Sequence, residues 1–188
     1  MADTVDTNSF KNGMHIELDG KVWRILEFQH VKPGKGGAFV RSRLRNLDSG
    51  AVVDKTFRAG EKFPRVHTEV KNVQYLYEDG TEAHFMDPDT YETITLDESL
   101  IGDAKDYLVE NLSVQVLYAE GKPVQVELPA SVSLKIVESP EGVRGDTASN
   151  VTKPATLETG KTINVPLFIK EGETIKIDTR TGAYMGRA

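Results

Sequence analysis

The sequence predicts an all-β fold built from small consecutive barrels. Short runs rich in β-branched and aromatic residues recur along the 188 residues, and hairpin-type dipeptides such as Asp19-Gly20, Asp79-Gly80 and Glu120-Gly121 separate them. Only one stretch has helical spacing. Short strands at regular spacing are typical of small barrels. A single sandwich of 188 residues is the alternative that periodicity leaves open.

The predicted elements follow in chain order. Two strands, at residues 22–28 and 38–44, flank a glycine-rich loop. Further strands are predicted at residues 73–77, 91–96, 112–117, 124–128, 132–137, 163–169 and 174–177. Residues 97–111 space Leu100, Ile101, Ala104 and Leu108 helically, which predicts one or two helical turns. Residues 153–160 are interpreted as a loop that leads into the final hairpin.

Charge divides the chain into thirds. Residues 1–65 hold 12 Lys/Arg and 8 Asp/Glu, residues 66–128 hold 3 and 14, and residues 129–188 hold 8 and 7. The sign changes near Pro64 and again near Pro129. These changes predict three domains, at residues 1–65, 66–128 and 129–188. The net positive charge of the first third would attract a phosphate backbone, whereas the net negative charge of the middle third would repel it. An acidic middle that only keeps the protein in solution is the alternative.

Composition excludes several classes of protein. The chain has no cysteine, which excludes disulfides, thiolate zinc sites and a cysteine nucleophile, and fits a reducing compartment. No apolar run approaches the roughly 20 residues that span a bilayer. The amino terminus lacks the basic start and apolar core of a signal peptide. The sequence therefore predicts a cytoplasmic protein.

The loop between the first two predicted strands carries a lysine at its tip. Pro33 fixes one backbone angle, and the glycines permit turns that are closed to other residues. Nothing bulky stands beside Lys35, so the hairpin presents one long cation. The loop is Lys32-Pro33-Gly34-Lys35-Gly36-Gly37.

Three arginines follow this loop on the next predicted strand. Arg41, Arg43 and Arg45 alternate, so they share one face of the strand. From Lys32 to Arg45 there are five basic residues and no acidic one. We interpret this stripe as a surface for phosphates; an ordinary solvated strand face is the alternative.

The sequence shows no catalytic motif. The loop lacks the Gly-Lys-Ser/Thr opening of a phosphate-binding loop and the spacing of a dinucleotide fingerprint. A Schiff-base lysine is usually buried, whereas Lys35 is predicted to be exposed. No serine sits in a nucleophile elbow. The histidines lack metal-ligand spacing; they are His15, His30, His67 and His84. We therefore predict no catalytic residues and no metal site.

Motifs along the whole chain, taken in order, resemble bacterial elongation factor P. In the first two thirds they include Phe10-Lys11-Asn12-Gly13-Met14, the lysine loop, Val53-Asp54-Lys55-Thr56-Phe57, Phe85-Met86-Asp87 and Thr90-Tyr91-Glu92. In the last third they include Lys153-Pro154-Ala155-Thr156-Leu157-Glu158-Thr159-Gly160, Val165-Pro166-Leu167-Phe168-Ile169 and Gly172-Glu173. Each piece is weak alone, and the ordered set is specific.

The resemblance implies an SH3-like (KOW-like) barrel followed by two OB-fold barrels, in an L-shaped outline like that of tRNA. It implies a factor that binds both ribosomal subunits between the peptidyl and exit sites. There it would position peptidyl-tRNA and relieve stalling at consecutive prolines. It also implies a monomer in the cytoplasm that uses no cofactor and is not an enzyme.

The resemblance also assigns roles to residues. Lys35 would approach the acceptor end of peptidyl-tRNA, and in much of the family a modifying enzyme extends this lysine. Lys32, Pro33, Gly34, Gly36 and Gly37 would support the loop. Some relatives have a second proline after the lysine, where this chain has Gly36-Gly37, which predicts a more flexible tip. The segment near the exit-site mRNA codon and two terminal RNA-contact positions match Gly145, Asp146, Thr147, Tyr184 and Arg187.

Three alternatives to this function stay open from the sequence. The first is a paralogue of the same family that acts on different stalling sequences. The second is a general RNA-binding module, or an oligosaccharide-binding one, made of tandem barrels. The third is an enzyme that uses Lys35 as a covalent catalyst.

Overall fold

The structure is a computed structural model that describes residues 3–142 and 151–188. Within these residues strands dominate, in agreement with the predicted all-β class. The strands are β1 (Thr4–Asp6), β2 (His15–Leu18), β3 (Lys21–Val31), β4 (Phe39–Asn46), β5 (Val52–Arg58), β6 (Lys62–Val66), β7 (Thr68–Glu78), β8 (Glu82–Met86), β9 (Thr93–Asp97), β10 (Ser113–Ala119), β11 (Lys122–Glu127), β12 (Ser131–Glu138), β13 (Thr152–Leu157), β14 (Thr162–Pro166), β15 (Thr174–Asp178) and β16 (Tyr184–Arg187).

Across the described ranges these strands form three sheets. The first has the order β1-β6-β2-β3-β4-β5, the second β11-β10-β7-β8-β9, and the third β14-β13-β12-β15-β16. Each sheet is formed by strands that are consecutive in the chain, although their order within the sheet is not sequential. This arrangement supports small consecutive β units rather than one sandwich of 188 residues.

Two predicted hairpin turns have the backbone that their dipeptides predict. Asp19 and Gly20 have φ values of 53° and 73°, and Glu120 and Gly121 have 49° and 78°. Two successive residues with positive φ characterise the tight turn whose twist matches that of antiparallel strands. These turns join β2 to β3 and β10 to β11.

The first sheet closes over a core of aliphatic and aromatic side chains. Its centre is Phe10, which packs edge-on against Phe28 and Phe57 with ring centroids 6.1 and 6.2 Å apart. The buried members of this core are Val5, Phe10, Ile16, Ile25, Val40, Leu44, Phe57 and Phe63. Burial of these rings fixes the sheet on which the lysine loop stands.

The predicted helical stretch is present and short. An α-helix, α1 (Glu98–Ile101), is capped by the Asp97 carboxylate, which accepts from the Ser99 N–H at 2.8 Å. It continues as a 3-10 helix at Gly102–Tyr107. The predicted helical stretch is therefore present, but its length of about three turns exceeds the predicted one or two.

The interpretation of residues 153–160 as a loop was wrong. Thr152–Leu157 form β13, which pairs with β14 along its length and with β12 only at Thr156 and Leu157. The strand tolerates Pro154 because the pairing with β12 does not extend to that residue, so no ladder bond there needs its N–H.

Two predicted strand ends were also wrong. The strand predicted at residues 163–169 ends at Pro166, and a turn follows. The strand predicted at residues 91–96 begins at Thr93, because Tyr91 has a left-handed φ of 60° that breaks strand geometry.

The chain divides into two compact units. One comprises Met1–Val70 and Leu117–Gln125, and the other Lys71–Val116 and Val126–Ala188. The three domain boundaries predicted from charge stay a prediction. Among the described residues, no helix has the length and apolarity needed to cross a bilayer.

Candidate functional site

The lysine loop caps the hairpin of β3 and β4. The last register pair of these strands joins Val31 to Phe39, and residues 32–37 beyond it are all exposed. Within the described part of the chain, the Lys35 side chain makes no hydrogen bond or ion pair. The hairpin therefore presents its ammonium group to solvent.

Only one of the three loop glycines needs the conformational freedom of glycine. Gly36 has a φ of 105°, which L-residues rarely adopt, whereas Gly34 and Gly37 do not lie in that region. A Cβ atom at any of the three would meet nothing within 4 Å. The backbone at Gly36 thus directs the tip, and the space around Lys35 is open.

The structure places the three predicted arginines on one face of β4. Arg41, Arg43 and Arg45 are exposed, and the residues between them, Ser42 and Leu44, are buried. This alternation is what a strand with one core-facing side requires.

The arginines do not have equivalent surroundings. Arg43 lies between two carboxylates: Glu27 on β3, 3.6 Å from the guanidinium, and Asp54, directly opposite on β5. The stretch from Lys32 to Arg45 has no acidic residue, but the fold supplies two from neighbouring strands. Carboxylates therefore flank the stripe at Arg43, and its role in binding phosphate stays a prediction.

Arg41 keeps its charge uncompensated. Its neighbours across the sheet are the neutral Gln29 and Thr56, and its guanidinium carbon lies 5.6 Å from the centre of the Phe39 ring. A depression of about 520 Å³ opens beside it, and its lining includes the basic Arg43 and Lys55 and the acidic Glu27 and Asp54. This end of the sheet, next to the lysine loop, is cationic.

Arg45 faces another arginine. The register of β3 and β4 sets Arg24 directly opposite Arg45, and both residues are exposed. On the far side of Arg24 lies His15 of β2. Simple alternation along β3 does not predict Arg24 on this face, because a β-bulge between Ile25 and Glu27 shifts which residues of β3 share it.

His15 is a buried neutral side chain beside this pair. Its Nδ1 lies 3.5 Å from the Thr68 hydroxyl oxygen, and its Nε2 is buried without a partner in the described structure. Burial, and secondarily the positive charge of Arg24, lower the pKa of His15 from its usual value.

One group of potential metal ligands is found among the described residues. The carboxylates of Asp79 and Glu82 and the imidazole of His84 bring ligand atoms within 4.8 Å of one another. His84 Nε2 already lies 2.8 Å from an Asp79 oxygen, and Nδ1 lies 3.2 Å from the Thr95 hydroxyl. Exposed groups that satisfy one another in this way do not define a metal centre.

The predicted sites of the last third are only partly described. Gly145, Asp146 and Thr147 lie outside the described residues. Tyr184 is half-buried against the core of the third sheet. Arg187 donates from Nε to a Glu173 carboxylate oxygen at 3.0 Å, and its guanidinium lies 5.1 Å from the Phe168 ring centre.

Curated relatives match this chain along nearly its whole length. The elongation factor P of Pelotomaculum thermopropionicum is 53% identical over 183 residues, which cover 97% of this chain and 99% of the relative. The elongation factor P of Picosynechococcus is 51% identical over the same shares of both chains. The chain belongs to the elongation factor P family.

Family models match three parts of this chain. They are the elongation factor P KOW-like domain at residues 6–63, its OB domain at residues 68–126 and its C-terminal domain at residues 132–187. Together with the three sheets, these matches confirm the predicted fold class.

A solved structure supports the same fold. The eukaryotic translation initiation factor 5A from Methanococcus jannaschii is 25% identical, with a TM-score of 0.52, over 66% of this chain and 93% of the other. A translation initiation factor eIF-5A family protein from Naegleria fowleri, which is 19% identical with a TM-score of 0.53, shares the fold as well.

Proposed function

We propose that this protein binds the ribosome between the peptidyl and exit sites and stimulates peptide bond formation at consecutive prolines. Membership of the elongation factor P family supports this proposal. The observation that carries it is Lys35, an exposed cation at the tip of the hairpin of β3 and β4, which has no ion-pair or hydrogen-bond partner among the described residues.

The physical role of the loop is to orient peptidyl-tRNA. Proline is a constrained nucleophile, so the relative placement of the two reacting ends limits the rate. Ideal orientation is worth up to about 7–11 kcal/mol, of which the factor need supply only a fraction. Lys35 binds backbone phosphate or sugar near the acceptor end and reads no base. The bond-forming chemistry belongs to the ribosome, so the protein acts without a cofactor and is not itself an enzyme.

Other parts of the chain have supporting roles in this proposal. Three domains, at residues 1–65, 66–128 and 129–188, span the site on the ribosome. The segment Gly145-Asp146-Thr147 lies near the exit-site codon, and Tyr184 contacts RNA near the chain end. Arg187 also contacts this RNA, once its guanidinium group has left the Glu173 carboxylate and bound a phosphate. The protein works as a monomer in the cytoplasm, and a modifying enzyme extends Lys35.

The test compares Lys35→Ala with a matched control, Lys32→Ala, in the same exposed loop. In a reconstituted translation reaction, Lys35→Ala is expected to lose stimulation of a proline-run message while both variants unfold at the wild-type temperature. Unchanged proline-run synthesis with Lys35→Ala would overturn the proposal. The intact mass of the peptide that holds Lys35, from native protein, establishes whether the lysine carries an extension.

A general RNA-binding module is the second candidate, favoured by the exposed Arg41 and Arg45. It predicts salt-sensitive binding to free RNA of any sequence, with no need for an intact ribosome. Filter binding to free RNA and to purified ribosomes, over a salt series, separates the two functions. Equal affinity for both would favour the general module.

A further inference from the structure

Arg24 and Arg45 form a like-charge pair across two strands. In an antiparallel sheet, residues directly opposite one another have Cβ atoms about 4.5–5.5 Å apart and project from the same face. The register of β3 and β4 makes Arg24 and Arg45 such a pair, and both are exposed. The two side chains thus leave the backbone at neighbouring points on the outer face of the first sheet.

Nothing in the described residues neutralises this pair. Within residues 3–142 and 151–188, no ion pair includes Arg24 or Arg45. The flanking members of the same cross-strand row are the neutral Val52 and His15, whose pKa is lowered. Like charges in direct opposition destabilise a sheet, so the fold gains nothing from this arrangement.

The neighbouring row shows what compensation looks like. There Arg43 lies between Glu27 and Asp54, so one cation faces two anions. The outer face of the sheet therefore alternates: cationic at Arg41, compensated at Arg43, and doubly cationic at Arg24 and Arg45. An anionic chain lying along β4 would meet two separate attractive points.

We propose that Arg24 and Arg45 together bind a phosphate of the RNA backbone. Guanidinium groups bind phosphate oxygens in bidentate geometry, and two of them from facing strands can hold one phosphate. This inference rests on the proposed function and extends it to a second phosphate. Arg45 lies six residues along β4 from Phe39, at the base of the lysine loop, which corresponds to about 20 Å. The pair therefore binds a different phosphate from the one that Lys35 approaches, and Arg43 binds none.

The test measures binding to purified ribosomes that carry peptidyl-tRNA, over a series of salt concentrations. Arg24→Gln and Arg45→Gln are each expected to weaken binding several-fold and to reduce the slope of log K against log[salt] by about 1. Arg43→Gln is the matched control on the same strand and face, and it is expected to keep the wild-type slope. The thermal midpoint of Arg24→Gln and Arg45→Gln is expected to equal or exceed that of wild type, because repulsion is relieved.

Three results would overturn the inference, two from the salt series and one from the thermal midpoints. One is a wild-type slope in both Arg24→Gln and Arg45→Gln; the other is an equal loss in Arg43→Gln. A lower thermal midpoint in both variants would also overturn it, because the pair would then be structural. Failure of the proposed function is distinct: wild-type protein itself would then show no preference for ribosomes over free RNA.

Discussion

The ammonium group of Lys153 donates a hydrogen bond to the carbonyl oxygen of Pro140 at 2.8 Å, from a residue that is only 7% exposed. Lys153 belongs to β13, and Pro140 follows the end of β12. A buried lysine with a carbonyl partner secures the backbone beyond one strand to the next.

Replacing Lys153 is therefore expected to loosen the third sheet. Lys153→Ala removes both the hydrogen bond and the packed aliphatic stem, at a cost of about 1–3 kcal/mol. Lys153→Met keeps most of the stem and is expected to lose less. Amide hydrogen exchange of β12 and β13 measures both variants. Wild-type protection in Lys153→Met would show that the hydrogen bond adds nothing to stability.

Gly142 is expected to tolerate no side chain. A Cβ atom there would lie 2.8 Å from the carbonyl oxygen of Leu167 and 3.1 Å from its Cβ, so backbone would have to move. Gly142→Ala should lower the free energy of unfolding of the compact unit that contains Gly142 by about 1–3 kcal/mol, and with it the thermal midpoint. Gly37→Ala, where a Cβ meets open space, is the control and should be neutral. Equal midpoints for the two variants would contradict the close approach.

Stability of the first sheet is expected to fall in mild acid because of His15. Its pKa is lowered in the folded state by burial and then by Arg24, so the unfolded chain binds the proton more tightly. The stabilising contribution is complete above the unfolded pKa of about 6.5 and is lost as pH falls towards the lower folded pKa. His15→Gln should lack this part of the pH dependence.

The pH dependence of unfolding can be measured by the fluorescence of the only tryptophan, Trp23. Trp23 lies on β3 directly opposite Ile16, next to His15. Urea unfolding followed by Trp23 fluorescence at several pH values compares wild type with His15→Gln. Identical pH profiles would contradict the assignment to His15.

The conformation of Gly36 is expected to matter more for activity than for stability. Its φ of 105° makes Gly36→Ala strained by about 1–2 kcal/mol, which the loop relieves by changing its path. The Trp23 unfolding midpoint should change little, because the loop buries nothing, while stimulation of proline-run synthesis should fall. Gly37→Ala is the control with ordinary φ. Full stimulation by Gly36→Ala would show that the tip path is not critical.

Local signals predicted what depends on local chemistry. The paired positive φ values at Asp19-Gly20 and Glu120-Gly121 follow from turn residues between strands. The helical turns after Asp97 follow from apolar spacing and a capping carboxylate. The loop of Lys35 follows from glycines and proline between two strand-like runs.

Features that depend on pairing between distant segments could not be predicted. The compensation of Arg43 requires the register that brings Glu27 and Asp54 beside it. The exposure of Arg24 on the same face requires the β-bulge after Ile25, which reverses simple alternation. No local pattern reports either of these arrangements. The pairing of β13 with β14 is likewise set by residues outside the segment, and Pro154 fits this strand only because no β12 residue pairs with it.

The lysine loop projects beyond the last register pair of its hairpin, and its side chains bury none of the core. Selection can therefore change the tip, and enzymes can alter it chemically, with little effect on the barrel beneath. The residues on which folding of the first sheet depends are thus separate from the residues of the loop tip. Under the proposed function, that separation lets a group be added to Lys35 without any change to the packing of the barrel.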